Sequence, residues 1–294
     1  MGYVGRFAPS PTGPLHLGSL VAALGSYLDA RRERGRWLLR IEDLDAARVR
    51  PGCADDMQRT LENLGLNWDG PIEYQSRRRA LYEEALKALD GRALLYACHC
   101  SRRELADSEE PGYPGTCRDR PAAPGPAALR FRIDETESVH FVDRFQGPSS
   151  FAMGALGDVI TRRRDGVIAY QLAVVVDDAQ QGVTDVVRGA DLLPSTPWQL
   201  LLQRALGVAT PRYGHLPLVV EPDGAKLAKS RRSTPVDPQR ATEQLIEALK
   251  LLRHAPPSDL LGERPEVVLA WALNHWNPAN LERVQKATAP ASSP

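Results

Sequence analysis

A loop near the start of this sequence carries residues that could bind a phosphate group. Residues 14–19 contain His16 and lead directly into a segment with helical periodicity. Because glycine has no Cβ, Gly13 and Gly18 would let a ligand approach the backbone closely. A helix N-terminus also offers unpaired N–H groups and partial positive charge to an anion. The loop alone is a weak signal, because such turns before helices are commonly structural.

A second loop, residues 226–230, holds two lysines at a spacing of three, Lys226 and Lys229. A lysine ammonium is a mobile point charge that suits the neutralisation of a leaving pyrophosphate. A solvated basic loop would look the same. The combination of the two loops predicts a nucleotide site more strongly than either loop alone.

A third group of residues could bind a metal ion. Three of the four cysteines, Cys98, Cys100 and Cys117, lie close together in the sequence. Three thiolates favour zinc over harder ions. The fourth ligand stays open at this point, because His99 lies between two of the thiols and tyrosine, present at Tyr113, is not a usual zinc ligand.

The segments around the first loop predict the opening of a doubly wound α/β fold. Residues 4–8 are apolar enough for a buried strand, and the proline-rich residues 9–14 predict a loop. Apolar residues at helical spacing follow from Leu17 to Leu28. Residues 37–41 predict a second strand. Strand, loop, helix and strand in this order are typical of that fold class.

The later segments predict further elements of the same core. The valine run at residues 174–176 is the most β-like stretch of the chain and ends in Asp177 and Asp178. Residues 98–126 hold Cys, Gly and Pro with little apolar periodicity, which indicates an inserted, metal-bound segment. From the lysine loop to the end the pattern is helical. Helices are predicted at residues 52–65, 77–90 and 197–206. Strands are predicted at residues 128–133, 167–177 and 216–220.

Composition excludes several classes of protein. The 294 residues carry no net charge, with 37 basic and 37 acidic residues, so an RNA partner would have to meet a local patch. Arginine clusters at residues 77–79, 162–164 and 231–232 are candidates. No apolar stretch reaches the ~18–20 residues of a membrane helix, and the N-terminus lacks a signal-peptide pattern. We therefore expect no membrane partner and a cytoplasmic location.

The two loops together resemble the signatures of a known enzyme class. Residues 16–19 (HLGS) resemble the HIGH signature, and residues 226–230 (KLAKS) resemble the KMSKS signature, of class I aminoacyl-tRNA synthetases. Residues 6–13 (RFAPSPTG) resemble the opening of the glutamyl-tRNA synthetase branch. Ser19 replaces the second histidine and cannot supply an imidazole. Leu227 and Ala228 replace Met and Ser.

The resemblance implies a Rossmann-type class I synthetase catalytic core that activates L-glutamate with ATP to form glutamyl-adenylate. His16, Lys226 and Lys229 would be the catalytic groups that handle the phosphates, and Gly13 and Gly18 would lie beside the ATP. Mg²⁺ would accompany the ATP, because the polyphosphate charge requires a cation.

The amino-acid pocket has to match two carboxylates and one ammonium group. A guanidinium can bind a carboxylate through two parallel hydrogen bonds. Arg6, Glu42 and Arg188 lie at strand or loop ends, where open α/β sheets bind ligands. The resemblance implies that Arg6 and Ser10 contact the amino acid and that Glu42 takes its ammonium group. It also implies that Tyr170 packs beside the substrate and that Arg188 holds the side-chain carboxylate.

The cysteine pattern narrows the resemblance to one subfamily, the glutamyl-queuosine tRNA(Asp) synthetases. In that subfamily Tyr113 would complete a structural site for one Zn²⁺ with Cys98, Cys100 and Cys117. The implied second step transfers glutamate to a hydroxyl of the queuosine ring at the wobble position of tRNA(Asp). The short region after the lysine loop leads us to expect that the anticodon-binding domain is absent.

The predicted organisation has four parts and a monomeric state. Residues 1–92 and 167–235 are expected to form the two halves of the catalytic core. Residues 93–166 would be an inserted, zinc-containing subdomain that resembles an acceptor-binding domain, and residues 236–294 a short C-terminal helical region. Two alternatives stay open: a shortened glutamyl-tRNA synthetase that charges the tRNA 3′ end, and a non-catalytic paralogue that binds glutamate or ATP.

Overall fold

A computed structural model describes residues 2–106, 112–121, 123–220 and 235–289. The first elements are β1 (Val4–Phe7), α1 (Leu17–Arg32), β2 (Arg36–Ile41), α2 (Cys53–Asn63), β3 (Glu73–Tyr74) and α3 (Arg79–Asp90). The three strands form a parallel sheet in the order β1-β2-β3. The predicted strand–loop–helix–strand opening is confirmed, and so are the helices predicted at 52–65 and 77–90.

The middle of the chain is mainly antiparallel. Its elements are β4 (Leu95–Cys98), α4 (Arg102–Ala106), β5 (Ala128–Phe131), β6 (Ser138–Asp143), β7 (Gly147–Ala152), α5 (Met153–Leu156) and β8 (Val159–Arg162). β5 lies between β4 and β8, and β6 pairs with β7 as a hairpin. The strand predicted at 128–133 is confirmed, whereas the other four strands of this region were not predicted.

The next part returns to parallel strands beside the first sheet. Its elements are α6 (Tyr170–Gln180), β9 (Asp185–Gly189), α7 (Thr196–Leu206), β10 (Arg212–Leu216) and β11 (Leu218–Val220). β9 and β10 pair in parallel, with Arg188 opposite His215. The backbone N–H of Thr184, just before β9, donates to the carbonyl of Val4 at 2.9 Å, which joins this pair to the edge of β1.

The strand predicted at residues 167–177 is wrong, because this segment is the helix α6. Val174, Val175 and Val176 are all buried, at 1–7% exposure. α6 packs with α3, with α7 and with β8, so consecutive apolar residues are covered on several sides. A fully buried helix shows the same short apolar run as a buried strand, and burial overrides the β propensity of valine.

The last elements are α8 (Ala241–Leu251), α9 (Pro265–His275) and β12 (Lys286–Thr288). β12 pairs in parallel with β11, so the expectation of an all-helical end is wrong at these residues. The strand predicted at 216–220 is divided, because Leu216 ends β10 and β11 begins after Pro217. Short 3-10 helices are found at Gln75–Arg77, Ala190–Ser195, Pro238–Arg240, Ser258–Leu260 and Pro278–Leu281.

Two large apolar clusters stabilise this arrangement. One surrounds α1, whose residues Leu20, Leu24 and Leu28 are fully buried against the first sheet and against α8. The other lies between α3, α6 and α7. The first cluster buries the apolar face of a helix that flanks parallel strands, as an α/β fold requires. The second cluster also contains residues of antiparallel strands, such as Phe131 of β5 and Val159 of β8. Within the described ranges, no helix has both the length and the apolar character needed to cross a membrane.

Candidate active site

The parallel strands end at one cavity of about 710 Å³. Its wall comes from the carboxyl ends of β1, β2, β9 and β10 and from the first turn of α1. Gly13 lies in the loop between β1 and α1, outside the set of described residues that line the cavity. The structure therefore brings together most of the predicted site residues: Arg6, Ser10, His16, Gly18, Glu42, Tyr170 and Arg188.

His16 caps the N-terminus of α1 and faces the cavity. Its Nδ1 accepts a hydrogen bond from the backbone N–H of Ser19 at 3.3 Å. Because Nδ1 accepts, the neutral ring carries its proton on Nε2, which is then a donor. A Cβ at Gly18 would lie 3.1 Å from His16 Cε1, so the glycine leaves room for the ring. The loop thus presents an imidazole N–H beside a helix N-terminus, an arrangement that suits an anion.

The second predicted phosphate-binding loop cannot be placed in this way. Lys226 and Lys229 belong to residues 221–234, which lie outside the described part of the chain. The arginine cluster at residues 231–232 lies there too. Their assignment stays a prediction from the sequence.

Beneath the cavity, Asp178 of α6 joins two arginines. Its carboxylate accepts from Arg40 Nη1 at 2.8 Å and from Arg6 Nε at 3.2 Å. Arg40 Nη2 lies 3.5 Å from Glu42 Oε1. Burial acts to raise the pKa of Asp178, but the two guanidinium groups outweigh it and hold that pKa below its ordinary value. This buried ion-pair network fixes Arg6 and Glu42, both of which line the cavity.

The net shift of the Glu42 pKa is upward, opposite to the net shift of the Asp178 pKa. Burial raises the pKa of Glu42 from 4.5 to about 7, and the nearby charges of Arg40 and Arg6 offset only part of that effect. The carboxyl group therefore titrates near neutral pH. A cation bound beside Glu42 would favour the ionised form and lower its pKa.

Arg188 of β9 is 5% exposed and contacts three other elements. Its Nη1 donates to Tyr170 Oη at 3.3 Å, its Nη2 donates to Thr196 Oγ1 at 3.0 Å, and its Nε donates to His215 Nε2 at 3.0 Å. Burial raises the pKa of Tyr170, although Arg188 opposes that effect, so the hydroxyl stays protonated at neutral pH. The guanidinium is therefore held at the cavity wall by polar groups from α6, α7 and β10.

Sequence reasoning missed several residues that support this site. Arg40 is fully buried in β2, and Asp178 was noted only as the end of a predicted strand. The presence of an arginine inside the apolar segment RWLLRI was a usable signal, because a buried charge requires a partner. His215 and Thr196 gave no comparable signal. Both contact Arg188 from other elements, His215 from β10 and Thr196 from α7, and the sequence does not show that these elements meet.

Two of the arginine clusters that could have met RNA are partly engaged within the protein. Arg78 Nε donates to Asp177 Oδ1 at 2.7 Å, and Asp177 also accepts from Gln75 and Tyr82. In the second cluster, Arg163 Nη1 donates to Asp45 Oδ2 at 2.7 Å. Each of these two arginines already pairs with a carboxylate of the protein, which reduces the net charge that the clusters can offer to a ligand.

Four side chains predicted to hold a metal converge in the middle of the chain. The Sγ atoms of Cys98, Cys100 and Cys117 all lie within 4.8 Å of one another. Tyr113 Oη is 3.5 Å from Cys98 Sγ and 3.9 Å from Cys100 Sγ. The three thiols supply the soft donors that zinc prefers, and the phenol oxygen lies beside them as the only other candidate ligand predicted from the sequence. His99 is not part of this group of candidate ligands in the described residues.

The thiols also differ in acidity. Burial raises the pKa of Cys100 to about 11, with further contributions from the other two thiols. For Cys117 burial acts in the same direction, but hydrogen bonds from His99, Tyr113 and Cys100 outweigh it and lower the pKa to about 7. A group of reduced thiols, two of them buried, in which one is readily ionised is compatible with metal coordination, since metal ligation needs the thiolate form.

Comparisons with known proteins agree on one family. The family model for the catalytic domain of tRNA synthetases class I (E and Q) matches residues 3–254. The chain is 51% identical over 282 residues to the glutamyl-Q tRNA(Asp) synthetase of Ectopseudomonas mendocina (strain ymp), covering 96% of this chain and 95% of that protein. It is 51% identical over 292 residues to the protein of the same name from Pseudomonas paraeruginosa (strain DSM 24068 / PA7), covering 99% and 98%.

Solved structures show the same fold. A glutamate tRNA ligase from Elizabethkingia meningosepticum CCUG26117, in complex with its amino acid, superposes with a TM-score of 0.83 at 26% identity. The match covers 99% of this chain and 68% of that ligase. The described α/β arrangement with its parallel strands is therefore the class I synthetase catalytic fold.

Proposed function

This chain is a member of the glutamyl-Q tRNA(Asp) synthetase family of class I tRNA synthetases, and we propose that it activates L-glutamate with ATP and then glutamylates queuosine in tRNA(Asp). The observation that carries the proposal is the meeting of opposite charges in one cavity. Arg6, Glu42 and Arg188 line the same space as the phosphate-binding loop of His16.

The glutamate would bind through complementary charges at the strand ends. Arg188 would hold the side-chain carboxylate of glutamate. Tyr170, whose hydroxyl accepts from Arg188 Nη1 at 3.3 Å, would pack beside the substrate. Glu42 would take the ammonium group, while Arg6 and Ser10 would contact the amino acid. An arginine held rigidly favours a planar carboxylate over an amide, because the amide nitrogen would oppose a donor with a donor.

ATP would bind at the start of α1. The Nε2–H of His16 would donate to a phosphate oxygen, and Gly18, with Gly13 in the preceding loop, would let the nucleotide approach the backbone. Lys226 and Lys229 complete the phosphate site in this proposal, on their sequence pattern alone. Mg²⁺ accompanies the ATP and neutralises part of its charge.

The first reaction needs no nucleophile from the enzyme. An oxygen of the glutamate α-carboxylate attacks the α-phosphorus of ATP, the bond between the α-phosphorus and the bridging oxygen breaks, and pyrophosphate leaves with that oxygen. Glutamyl-adenylate remains. The contribution of the protein is then to align the reactants and to stabilise the negative charge that develops on the phosphates.

The second reaction transfers the glutamyl group from the adenylate to a hydroxyl of the queuosine ring, and AMP leaves. Support comes from the names of relatives that align over nearly the whole chain. Recognition of an anticodon loop is physically reasonable, because the unstacked bases of RNA loops can be read by their edges.

The cysteine group would bind one structural zinc ion. Cys98, Cys100 and Cys117 would ligate through sulfur and Tyr113 through its phenol oxygen, to which the backbone N–H of Cys117 already donates at 2.8 Å. A zinc ion bound there would cross-link the segment.

We also propose a division into a catalytic core at 1–92 and 167–235, an inserted subdomain at 93–166 and a C-terminal region at 236–294. The protein would be monomeric and cytoplasmic.

Pyrophosphate exchange into ATP tests the first step. Glutamate, glutamine and aspartate are compared as the driving amino acid, without any tRNA. We expect exchange with glutamate to exceed that with the other two by a wide margin. Exchange driven equally by all three, or by none, would contradict the proposed activation.

A transfer assay tests the second step. Labelled glutamate is offered separately with tRNA(Asp) that carries queuosine, with tRNA(Asp) that lacks it and with tRNA(Glu). We expect product only with the queuosine-containing tRNA, and nuclease digestion should locate the label in the anticodon loop. Label at the 3′ end of tRNA(Glu) would instead support a glutamyl-tRNA synthetase.

A further inference from the structure

Three buried side chains form a line from the β6–β7 hairpin to the cavity. Asp143, the last residue of β6, places Oδ2 2.5 Å from His215 Nδ1, and His215 Nε2 accepts from Arg188 Nε at 3.0 Å. Their exposed fractions are 1%, 0% and 5%. His215 and Arg188 are also partners in the parallel ladder of β9 and β10, so the ring and the guanidinium start from adjacent positions. The described function does not use Asp143 or His215.

The contacts define where the proton of His215 lies. Asp143, when ionised, can only accept, so Nδ1 carries the hydrogen; Arg188 can only donate, so Nε2 presents its lone pair. Burial lowers the pKa of His215 and Arg188 acts in the same direction, although Asp143 opposes both, and the ring stays neutral at pH 7. The ring therefore serves as an acceptor of fixed orientation beneath the guanidinium.

The carboxylate of Asp143 is itself fixed by the hairpin turn. Its Oδ1 accepts from the backbone N–H groups of Phe145 at 3.0 Å, Gln146 at 2.9 Å and His215 at 3.1 Å. With Oδ1 held by three donors, Oδ2 is left to face the imidazole. The turn geometry is thereby coupled to the orientation of the ring.

The two guanidinium nitrogens of Arg188 that do not donate to Tyr170, Nε and Nη2, are both held by other groups. Nε faces His215, and Nη2 donates to Leu192 O at 3.3 Å and to Thr196 Oγ1 at 3.0 Å. Because a guanidinium is planar, fixing Nε and Nη2 fixes its plane. We propose that Asp143 and His215 are positioning residues that set this plane for the side-chain carboxylate of bound glutamate. This inference rests on the glutamate-activating function proposed above.

The isosteric variant Asp143→Asn tests the proposal by reversing the proton of His215. The new carbonyl oxygen would stay with the three backbone donors, so the amide nitrogen would face His215 Nδ1. The amide donates there, the imidazole proton moves to Nε2, and it then opposes the Nε–H of Arg188. We expect the KM for glutamate in pyrophosphate exchange to rise about tenfold or more, as for one buried donor left unpaired. The KM for ATP should change by less than about twofold.

A pair of variants at His215 provides a rescue experiment. In His215→Gln the side-chain carbonyl can still accept from Arg188, whereas His215→Leu has a comparable size and no acceptor. We expect the glutamine variant to keep a KM for glutamate well below that of the leucine variant. Thermal unfolding of each variant and calorimetric titration with glutamate accompany the kinetics, so binding is measured independently of turnover.

The outcomes separate positioning from a general effect on folding. Equal KM values for glutamate in His215→Gln and His215→Leu, or a parallel rise in the KM for ATP and for glutamate, would overturn the proposal. So would a wild-type KM for glutamate in Asp143→Asn. If the wild-type protein shows no glutamate-dependent exchange, the proposed function fails and this inference fails with it. If the wild-type protein is active and the variants have the same KM for glutamate as wild type, the function stands and the positioning role fails.

Discussion

Arg40 and Asp178 form a buried ion pair, with 2.8 Å between Nη1 and Oδ1 and side-chain exposures of 0% and 6%. Arg40 lies on β2 and Asp178 on α6, and the pair is separated by 138 positions in the chain. Asp178 also contacts Arg6, and Arg40 also contacts Glu42. One carboxylate from a helix of the later part of the chain therefore holds Arg6 directly and Glu42 through Arg40.

Removal of that carboxylate should destabilise the protein strongly. In Asp178→Asn two buried guanidinium groups lose a full negative charge, so we expect the free energy of unfolding to fall by about 3–5 kcal/mol. Urea denaturation followed by far-UV circular dichroism measures the change. The matched control is Asp56→Asn, which breaks the pair with Arg59 whose side chains are 61% and 64% exposed; we expect it to change stability by less than about 0.5 kcal/mol. Similar losses in both variants would contradict a structural role for the buried pair.

The pKa of Glu42, raised to about 7 by burial, predicts a pH dependence for glutamate binding. A proton on Glu42 competes with the ammonium group of the substrate. Below pH 7 the KM for glutamate should therefore rise about tenfold per pH unit, while the charge of the substrate ammonium is unchanged. Exchange kinetics between pH 5.5 and 8.5 measure this effect, with the KM for ATP as an internal control. In Glu42→Gln the KM for glutamate should be high and flat over the same range; a variant that keeps the wild-type pH dependence would refute the assignment.

The same group predicts how stability depends on pH. The folded-state pKa is raised from 4.5 to about 7, so the contribution of Glu42 to stability is present below its unfolded value and is lost as the pH rises through 7. Glu42→Gln removes this titration. As the pH rises from 4 to 8, the free energy of unfolding of the variant minus that of wild type should therefore increase by on the order of 3 kcal/mol. Denaturation curves of both proteins at four or five pH values test the slope, and parallel curves would exclude the shift.

Some of the site could be predicted from the sequence because its residues follow strands that are visible as short apolar runs. Arg6 lies in such a strand and Glu42 directly follows one, and parallel strands bring their carboxyl ends to the same edge of the sheet. Asp178 was associated with the wrong element, since a buried helix and a buried strand both show an unbroken apolar run. Its position on α6, rather than at a strand end, explains why it supports the cavity from beneath.

The contact between Asp143 and His215 illustrates what sequence reasoning could not supply. The two residues are 72 positions apart, on a hairpin and a parallel strand that were not predicted. The hairpin has no Asn-Gly or Asp-Gly pair, the usual signals of a tight turn. The turn is instead stabilised by the side chain of Asp143, whose role becomes visible only when the backbone N–H groups that it accepts from are in place.

The cysteine group predicts one zinc ion per chain. Cys117→Ser replaces a sulfur ligand with a poor one, so we expect the zinc content measured by plasma mass spectrometry to fall from about one per chain to well below one-half. Cys53→Ser is the matched control, because Cys53 is also a buried thiol but packs in the large cluster around α1. That variant should keep its zinc. Wild-type protein that contains no zinc after purification without chelators, yet is fully folded, would disprove the metal site.

His16 has two roles that can be separated by substitution. Its Nδ1 accepts from Ser19 N and so caps α1, while the proton on Nε2 is the proposed donor to ATP. Asparagine is a strong N-cap residue, so His16→Asn should leave the free energy of unfolding nearly unchanged, whereas His16→Ala should lower it by about 1 kcal/mol. Both variants lose the imidazole donor, and the kcat of glutamate-dependent pyrophosphate exchange should fall by about 10²–10³ in each, as for the loss of one donor to a developing charge. Urea denaturation and exchange kinetics on the same preparations compare the two effects. If His16→Asn retained wild-type kcat, the residue would be a helix cap only, and the phosphate role would pass to other groups of the loop.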